Sequence, residues 1–306
     1  MTDLFNTIMF PLYWVVSWVL MAWHSLFSQV LPEESGWTWA LSIIGLTLVV
    51  RAALIPLFVK QIKSSRNMQM LQPKVKELQK KYGHDRERLA QETMALYKDA
   101  GTNPFASCLP ILMQAPIFIA LFRVLNKATQ EVGLGVLTDA DAVQLDRAAL
   151  LGVEISNTFI TAGGNWAIYV LCGVLVLLMT ATTFTTQRQL MRKNMPASAL
   201  TGPYAQQQKM LLYILPVAFG FGGIFFPVGV LLYWSTSNLW TMGQQFYVIR
   251  NNPSPGTPAF DAKVARDVKK GKISPEVAVQ TAAPAVVTAP KRQQPKKSSR
   301  SQRRRR

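Results

Sequence analysis

Long uncharged stretches alternate with short blocks of charge along this chain of 306 residues. The clearest uncharged stretch covers 37–59 and contains a single charge, Arg51. A helix rises about 1.5 Å per residue, so roughly 20 apolar residues cross a bilayer. The pattern therefore predicts a membrane-spanning helix that carries one arginine inside it.

Three further stretches are predominantly apolar and lie at 104–125, 166–187 and 210–249. The last contains 40 uncharged residues. Because that is twice the length of a span, it predicts two helices, 210–226 and 227–249, with a turn near Pro227. We predict an all-α polytopic membrane protein with five core transmembrane helices.

The segment 60–103 contains ten Lys and Arg residues. The positive-inside rule places such a segment in the cytoplasm. The residues in this segment that can start helices predict a helical hairpin. The first helix is expected to begin at Pro73, and the second is expected to begin after Asp85, which can act as its N-cap.

The loop 126–165 has two basic and five acidic residues, which predicts an extracytoplasmic location. Within it, 148–162 is expected to form a short interfacial helix. The loop 188–209 is basic and is expected on the cytoplasmic side.

Both ends of the chain are compositionally distinct. The segment 1–36 includes an aromatic-rich run at 8–31, which favours a helix lying on the outer membrane face over a span. The segment 250–306 is rich in Pro, Ala, Lys and Arg and is expected to be a disordered cytoplasmic tail. After Asn251 it has 14 Lys and Arg against three acids, which accounts for +11 of the formal charge of +17. Such a tail favours polyanions, either anionic lipid or RNA, over a purely solubilising role.

Arg51 is the most informative residue. It lies nine residues before Lys60, so it sits roughly 13 Å inside the membrane. An arginine at that depth costs about 3 kcal/mol on insertion scales, and it cannot lose its proton. The apolar stretches contain no Asp or Glu. The alternatives are snorkelling to the headgroups, or a hydrated recess that an acidic substrate can enter.

Amides and hydroxyls recur in the other predicted spans. Gln114 lies in the second, a threonine-rich run ends at Gln187 in the third, and Ser, Thr, Ser and Asn occupy 235–238 in the fifth. Many of these residues fall at the expected depth of Arg51, which favours a shared hydrophilic recess. For the threonines alone, hydrogen bonding between helices, worth about 0.6 kcal/mol each, is the simpler interpretation.

Several kinds of chemistry have no support in the sequence. His24 and His84 have no neighbouring ligand cluster, so no metal site is expected. Cys108 and Cys172 are expected near opposite membrane faces, as small core residues rather than a disulfide. There is no phosphate-binding glycine loop, zinc-protease motif or nucleophile elbow. We therefore expect neither an enzyme nor a cofactor.

Three segments of the sequence resemble the YidC/Oxa/Alb family of membrane protein insertases. They are LVVRAALIPLFVKQIKSSRNMQMLQPKVKELQKKYG, NPFASCLPILMQAPIFIALF and FPVGVLLYWSTSNLWTMGQQFYVIRN, and they occur in the family's order. The resemblance implies five helices around a hydrophilic groove open to the cytoplasm, with a cytoplasmic hairpin. Arg51 falls on the groove arginine, and the other groove positions fall on Gln114, Gln187 and Asn238.

The resemblance also implies function. The expected role is insertion and folding of integral membrane proteins, alone or with the Sec translocon. Expected partners are nascent membrane proteins, the ribosome, reached through the tail and hairpin, and anionic lipids. The absence of a large outer domain and of an early lipoprotein cysteine favours an actinobacterial-type member. The alternative is a secondary transporter of an anionic solute, although no internal repeat or intramembrane acid supports it.

Overall fold

The computed structural model describes residues 2–102, 109–195 and 203–274, and these are predominantly helical. The helices are α1 (Thr2–Phe27), α2 (Gly36–Ala53), α3 (Ile55–Tyr82), α4 (Arg86–Asp99), α5 (Leu109–Ala128), α6 (Asp139–Arg147), α7 (Trp166–Lys193), α8 (Pro203–Gly223), α9 (Val228–Asn251) and α10 (Pro258–Lys269). A short hairpin of β1 (Ala149–Leu150) and β2 (Val153–Glu154), and a 3-10 turn at Phe159–Thr161, precede α7. The predicted all-α class is confirmed.

Among the described residues, three helical stretches are long and apolar enough to cross a membrane: Phe5–Phe27, Gly36–Ala53 and Trp166–Lys193. A fourth apolar stretch, Leu212–Gly223, is shorter. Several spanning helices make this a multi-pass membrane protein. The count of five core spans stays a prediction, because α5, α8 and α9 are not among these three stretches.

The apolar run 37–59 is divided between two helices. α2 ends at Ala53, and α3 begins at Ile55 with Pro56 in its first turn. Proline has no backbone N–H, so the helical hydrogen-bond ladder is interrupted at this point. The break lies at Leu54, three residues after Arg51, so the arginine occupies the last turn of α2.

The prediction that a hairpin helix begins at Pro73 is wrong. α3 runs without interruption from Ile55 to Tyr82, and Pro73 lies inside it. The residues between Lys60 and Pro73 include no glycine or proline, so nothing in them stops the helix that Pro56 starts. The N-cap prediction is confirmed, since Asp85 accepts a hydrogen bond of 3.0 Å from the backbone N–H of Arg88.

The prediction of a helix at 148–162 is also wrong. The segment forms the β1–β2 hairpin, in which Leu150 pairs with Val153. Leu151 and Gly152 form its turn with φ of 54° and 80°. Two successive residues with positive φ give a turn whose twist matches a tight hairpin, and Gly152 adopts that geometry at no steric cost.

The core joins α1, α2, α5, α9 and the segment between α5 and α7. Trp39 of α2 is fully buried, and its ring lies 4.0 Å from that of His24 on α1. The His24 ring is held in turn by the backbone oxygen of Glu33, 3.1 Å from Nε2. α1 also exposes Ile8, Phe10 and Trp18. Whether this helix lies on the membrane or spans it stays a prediction.

The tail was expected to be disordered from residue 250 onward, and for 252–274 this is wrong. Thr257 caps α10, and Pro258 occupies its first turn. The Asn194 side chain accepts a 2.7 Å hydrogen bond from the buried Ser254 N–H. Arg266 donates to the Arg250 carbonyl at 2.6 Å. Composition averaged over the whole tail conceals one short capped helix, and residues 275–306 lie outside the described part.

α10 is further supported by an ion pair one turn apart, in which Lys263 lies 2.9 Å from Asp267. The hydrogen bond from Lys263 lowers the pKa of the Asp267 carboxyl. The carboxylate is therefore charged, and the pair intact, throughout the neutral pH range.

Replacing Gly36 with Ala is expected to destabilise the fold. A Cβ at Gly36 would meet the carbonyl group of Ala149 at 2.2 Å, and backbone cannot move aside as a side-chain end can. Overpacking of this kind costs about 1–3 kcal/mol. The control is Gly173→Ala, where a Cβ meets nothing within 4 Å. Thermal unfolding in detergent should show a lower Tm for Gly36→Ala alone; equal Tm values would contradict the packing described here.

Replacing Asn194 with Ala is expected to release α10. The substitution leaves the buried Ser254 N–H without its acceptor, at a cost of about 1–3 kcal/mol. Limited trypsin digestion should then cleave at Lys263 and Arg266 faster than in the unmodified protein. Asn252→Ala serves as the control because that side chain is exposed. Unchanged cleavage in Asn194→Ala would show that this hydrogen bond does not hold the segment.

Candidate functional site

The polar stretch of α9, residues 233–238, joins three other helices through side chains. Its members point in two directions because of helical periodicity. Tyr233 and Ser237, four residues apart, share a face directed at α5 and α2. Ser235 and Asn238, three residues apart, share a second face directed at α7.

Arg51 lies inside the helix bundle, with 8% of its surface exposed. Its Nε donates a 2.9 Å hydrogen bond to Ser237 Oγ, and its Nη2 donates to the same oxygen. The guanidinium carbon is 5.8 Å from the centre of the Phe58 ring, across the α2–α3 break. The side chain therefore turns into the bundle, toward α9.

The Arg51 charge has no counter-ion among the described residues. Two ion pairs occur among the described residues, Arg147–Glu131 and Lys263–Asp267, and both lie on other elements, away from Arg51. Ser237 supplies one neutral oxygen to a group with five N–H donors. The guanidinium thus keeps its full charge and has N–H donors that are not used by Ser237. Both properties are expected of a residue that receives an acidic group.

Gln114 of α5 donates a hydrogen bond from Nε2 to the Tyr233 hydroxyl. Its Oε1 is buried and has no partner among the described residues. Tyr233 is itself only 2% exposed. This contact is the polar connection between α5 and α9, and it lies one helical turn from the contact between Arg51 and Ser237.

The second face of the α9 polar stretch binds α7. Asn238 Nδ2 donates to Thr183 Oγ1 at 3.1 Å and lies 3.5 Å from the Met179 carbonyl. Ser235 Oγ donates to the Leu175 carbonyl at 3.3 Å. The hydroxyls of Thr182, Thr183 and Thr186 donate to carbonyls of their own helix. Hydrogen bonding between helices is confirmed at Thr183, which also accepts from Asn238, and is the wrong interpretation for Thr182 and Thr186.

The structure brings three of the four predicted residues to the α9 polar stretch: Arg51, Gln114 and Asn238. Gln187 is half-buried one turn beyond Thr183 and makes no hydrogen bond to another described residue. Sequence reasoning missed Tyr233 and did not distinguish Ser237 from its neighbours. The four-residue spacing of Tyr233 and Ser237 was the available signal.

No cluster of three or more His, Cys, Asp or Glu residues suited to a metal occurs in the described residues. Cys172 is a buried free thiol packed in the α7 core, and Cys108 lies outside the described part. The polar groups around residues 233–238 are hydroxyls, amides and the Arg51 guanidinium. This set can bind an anionic or hydrogen-bonding partner.

Comparison with known proteins identifies the family. The family model named 60Kd inner membrane protein matches residues 30–255, which covers α2 to α9 and includes every residue of the site. The chain belongs to this family. The resemblance to the YidC/Oxa/Alb insertases is thereby confirmed, and the family's name agrees with a location in the cell membrane.

Relatives in this family are named membrane protein insertase YidC. The protein from Streptomyces avermitilis is 46% identical over 272 residues, covering 86% of this chain and 62% of its own length. The protein from Tropheryma whipplei is 36% identical over 280 residues and is covered to 90%. The protein from Mycobacterium tuberculosis is 36% identical over 262 residues. The chain thus spans somewhat under two thirds of the Streptomyces relative.

Among solved structures, a crystal structure of an active YidC insertase with its first transmembrane domain resolved is similar to this chain. The TM-score is 0.47 at 24% sequence identity, with 79% of this chain and 46% of the other covered.

Removing the Tyr233 hydroxyl is expected to destabilise the bundle. In Tyr233→Phe the buried Gln114 amide loses its acceptor, which costs about 1–3 kcal/mol. Tyr13→Phe is a close control, because the buried Tyr13 hydroxyl has no partner among the described residues, so its removal breaks no hydrogen bond and should not destabilise the protein. Thermal unfolding in detergent measures both. A Tyr233→Phe variant as stable as Tyr13→Phe would contradict the contact between Gln114 and Tyr233.

Proposed function

We propose that this protein inserts integral membrane proteins into the cell membrane, with Arg51 as the group that receives polar parts of the substrate. The observation that carries the proposal is an arginine inside the bundle with a neutral partner and no counter-ion among the described residues. Membership in a family whose relatives are named insertases supports it. Gln114, Gln187 and Asn238 are proposed to line the same groove.

The magnitudes suit this role. A carboxylate costs about 3 kcal/mol at the centre of a membrane helix. At an effective dielectric constant of about 20, a carboxylate 4 Å from the guanidinium is stabilised by about 4 kcal/mol. The attraction therefore offsets the cost of bringing one acidic residue to this depth. It does not greatly exceed that cost, so the acidic group can leave again.

The apolar part of the substrate supplies the driving force. On insertion scales an apolar residue at the helix centre contributes about −0.3 to −0.6 kcal/mol. Roughly 20 such residues contribute on the order of −6 to −12 kcal/mol when the new helix enters lipid. The protein then has only to lower the barrier for the polar end. No covalent step is needed, and we infer that the protein is not an enzyme.

The cytoplasmic elements are proposed to receive the substrate. The α3–α4 hairpin carries all ten basic residues of 60–103, and further positive charge follows α10. Such segments attract ribosomal RNA and anionic lipid without reading sequence. We place the C-terminus in the cytoplasm by the positive-inside rule and propose that the protein works alone or beside the Sec translocon.

Transport of an anionic solute is the competing function. An ion-coupled transporter needs titratable acids in its spans to bind the driving ion. The apolar stretches contain none, which favours the insertase proposal. Uptake of labelled anions into vesicles containing the protein would show which function is correct.

Insertion into vesicles tests the role of Arg51. A single-span substrate with an acidic N-terminal tail is presented to proteoliposomes, and the protected fragment is measured. Arg51→Ala should lower insertion about tenfold or more, since a loss of 1.4 kcal/mol is already tenfold. Arg51→Lys keeps the charge and should recover much of the activity. Arg188→Ala is the control, because that arginine is exposed on α7.

Two results would count against the proposal. If Arg51→Ala inserts the acidic substrate as well as the unmodified protein, the charge has no role. If the unmodified protein gives no more insertion than empty vesicles, the insertase function itself fails.

A further inference from the structure

Ser237 is the only described residue that hydrogen-bonds to the Arg51 side chain. We propose that Ser237 is a positioning residue, which fixes the direction of the guanidinium while leaving its charge free for an acidic substrate. This proposal rests on the insertase function above and assigns a specific task to a residue that the family comparison leaves unassigned.

The bond geometry supports this task. Nε and Nη2 of Arg51 both donate to a single oxygen, so the planar guanidinium is held along one edge. An arginine side chain free in a recess samples many rotamers and would lose that freedom when it binds a carboxylate. A residue that fixes the rotamer beforehand removes this cost from the binding step.

The chemistry of the partner matters as much as its position. A serine hydroxyl accepts hydrogen bonds and carries no charge. A carboxylate at the same place would hold the guanidinium equally well but would cancel its charge and compete with the substrate. The neutral acceptor therefore gives orientation without neutralisation, which agrees with the absence of a counter-ion among the described residues.

Burial keeps the arrangement rigid. Ser237 is 3% exposed and lies on α9 one turn from Tyr233, whose hydroxyl is bound by Gln114. The Ser237 carbonyl also accepts a 2.9 Å hydrogen bond from the Thr241 hydroxyl. The contact with Arg51 thus lies beside a second contact between helices on the same face of α9.

α9 also provides a matched comparison. Ser235 is on the same helix, is also 3% exposed and also bonds through its hydroxyl, but it bonds to the Leu175 carbonyl on α7. Ser235→Ala and Ser237→Ala remove the same atom at the same burial. A general structural effect should appear in both variants, whereas an effect on Arg51 should appear in Ser237→Ala only.

The test measures how insertion depends on substrate charge. Proteoliposomes receive single-span substrates whose N-terminal tails carry zero, one, two or three Asp residues at equal length. For the unmodified protein, insertion should rise with the number of Asp residues. In Ser237→Ala the increase in insertion with the number of Asp residues should be about fivefold smaller. This is the effect of losing one hydrogen bond of about 1 kcal/mol. The substrate without Asp should be unaffected.

Three further variants sharpen the test. Ser237→Thr keeps the hydroxyl and should restore the charge dependence, and Ser235→Ala should leave it unchanged. Ser237→Asp should abolish it by neutralising Arg51. The double variant Arg51→Ala/Ser237→Ala should equal Arg51→Ala, because Ser237 acts through the arginine and the effects are not additive.

Distinct results would overturn this inference. If Ser237→Ala keeps the full charge dependence while Arg51→Ala loses it, the positioning role is wrong and the proposed function stands. If Ser237→Ala lowers insertion of all four substrates equally, the residue is only structural. If the unmodified protein inserts none of the substrates, the proposed function fails. Thermal unfolding of each variant in detergent confirms that the protein compared is folded.

Discussion

A guanidinium group keeps its charge at any accessible pH, so burying one inside a membrane protein constrains everything around it. Here α9 meets that constraint with a hydroxyl and no acid, and the charge remains available. α9 accordingly carries hydroxyls and an amide on two faces and uses them to bind α2, α5 and α7. α9 is not among the stretches that hydropathy recognises as spans, yet it connects the bundle.

The break between α2 and α3 belongs to the same arrangement. Pro56 interrupts the helix about one turn after Arg51, so the arginine lies at the C-terminal end of α2 and not in the middle of one long helix. Carbonyl groups at a helix C-terminus carry partial negative charge, which stabilises a cation there by about 0.3–1 kcal/mol. Backbone and Ser237 together therefore stabilise the guanidinium without forming an ion pair.

The features that depend on a few neighbouring residues could be predicted from the sequence. Arg51 within an apolar run, the Asp85 cap and the turn at Pro227 each depend on a few neighbouring residues, and the structure contains all three features. The partner of Arg51 could not be predicted in this way. Ser237 lies 186 positions away, and only the packing of α2 against α9 distinguishes it from Ser235.

The wrong predictions for 148–162 and for 252–274 have a similar origin. The hairpin at Leu151 and Gly152 and the helix α10 are short elements inside segments whose average composition suggested something else. In both, a few backbone contacts outweigh composition: a positive-φ turn in the first, and the bond from Ser254 N–H to Asn194 in the second. α10 thus links the C-terminal ends of α7 and α9, the two helices that carry Gln187 and Asn238. We infer that the spacing of these two proposed groove residues depends on a segment that composition alone would have assigned to the tail.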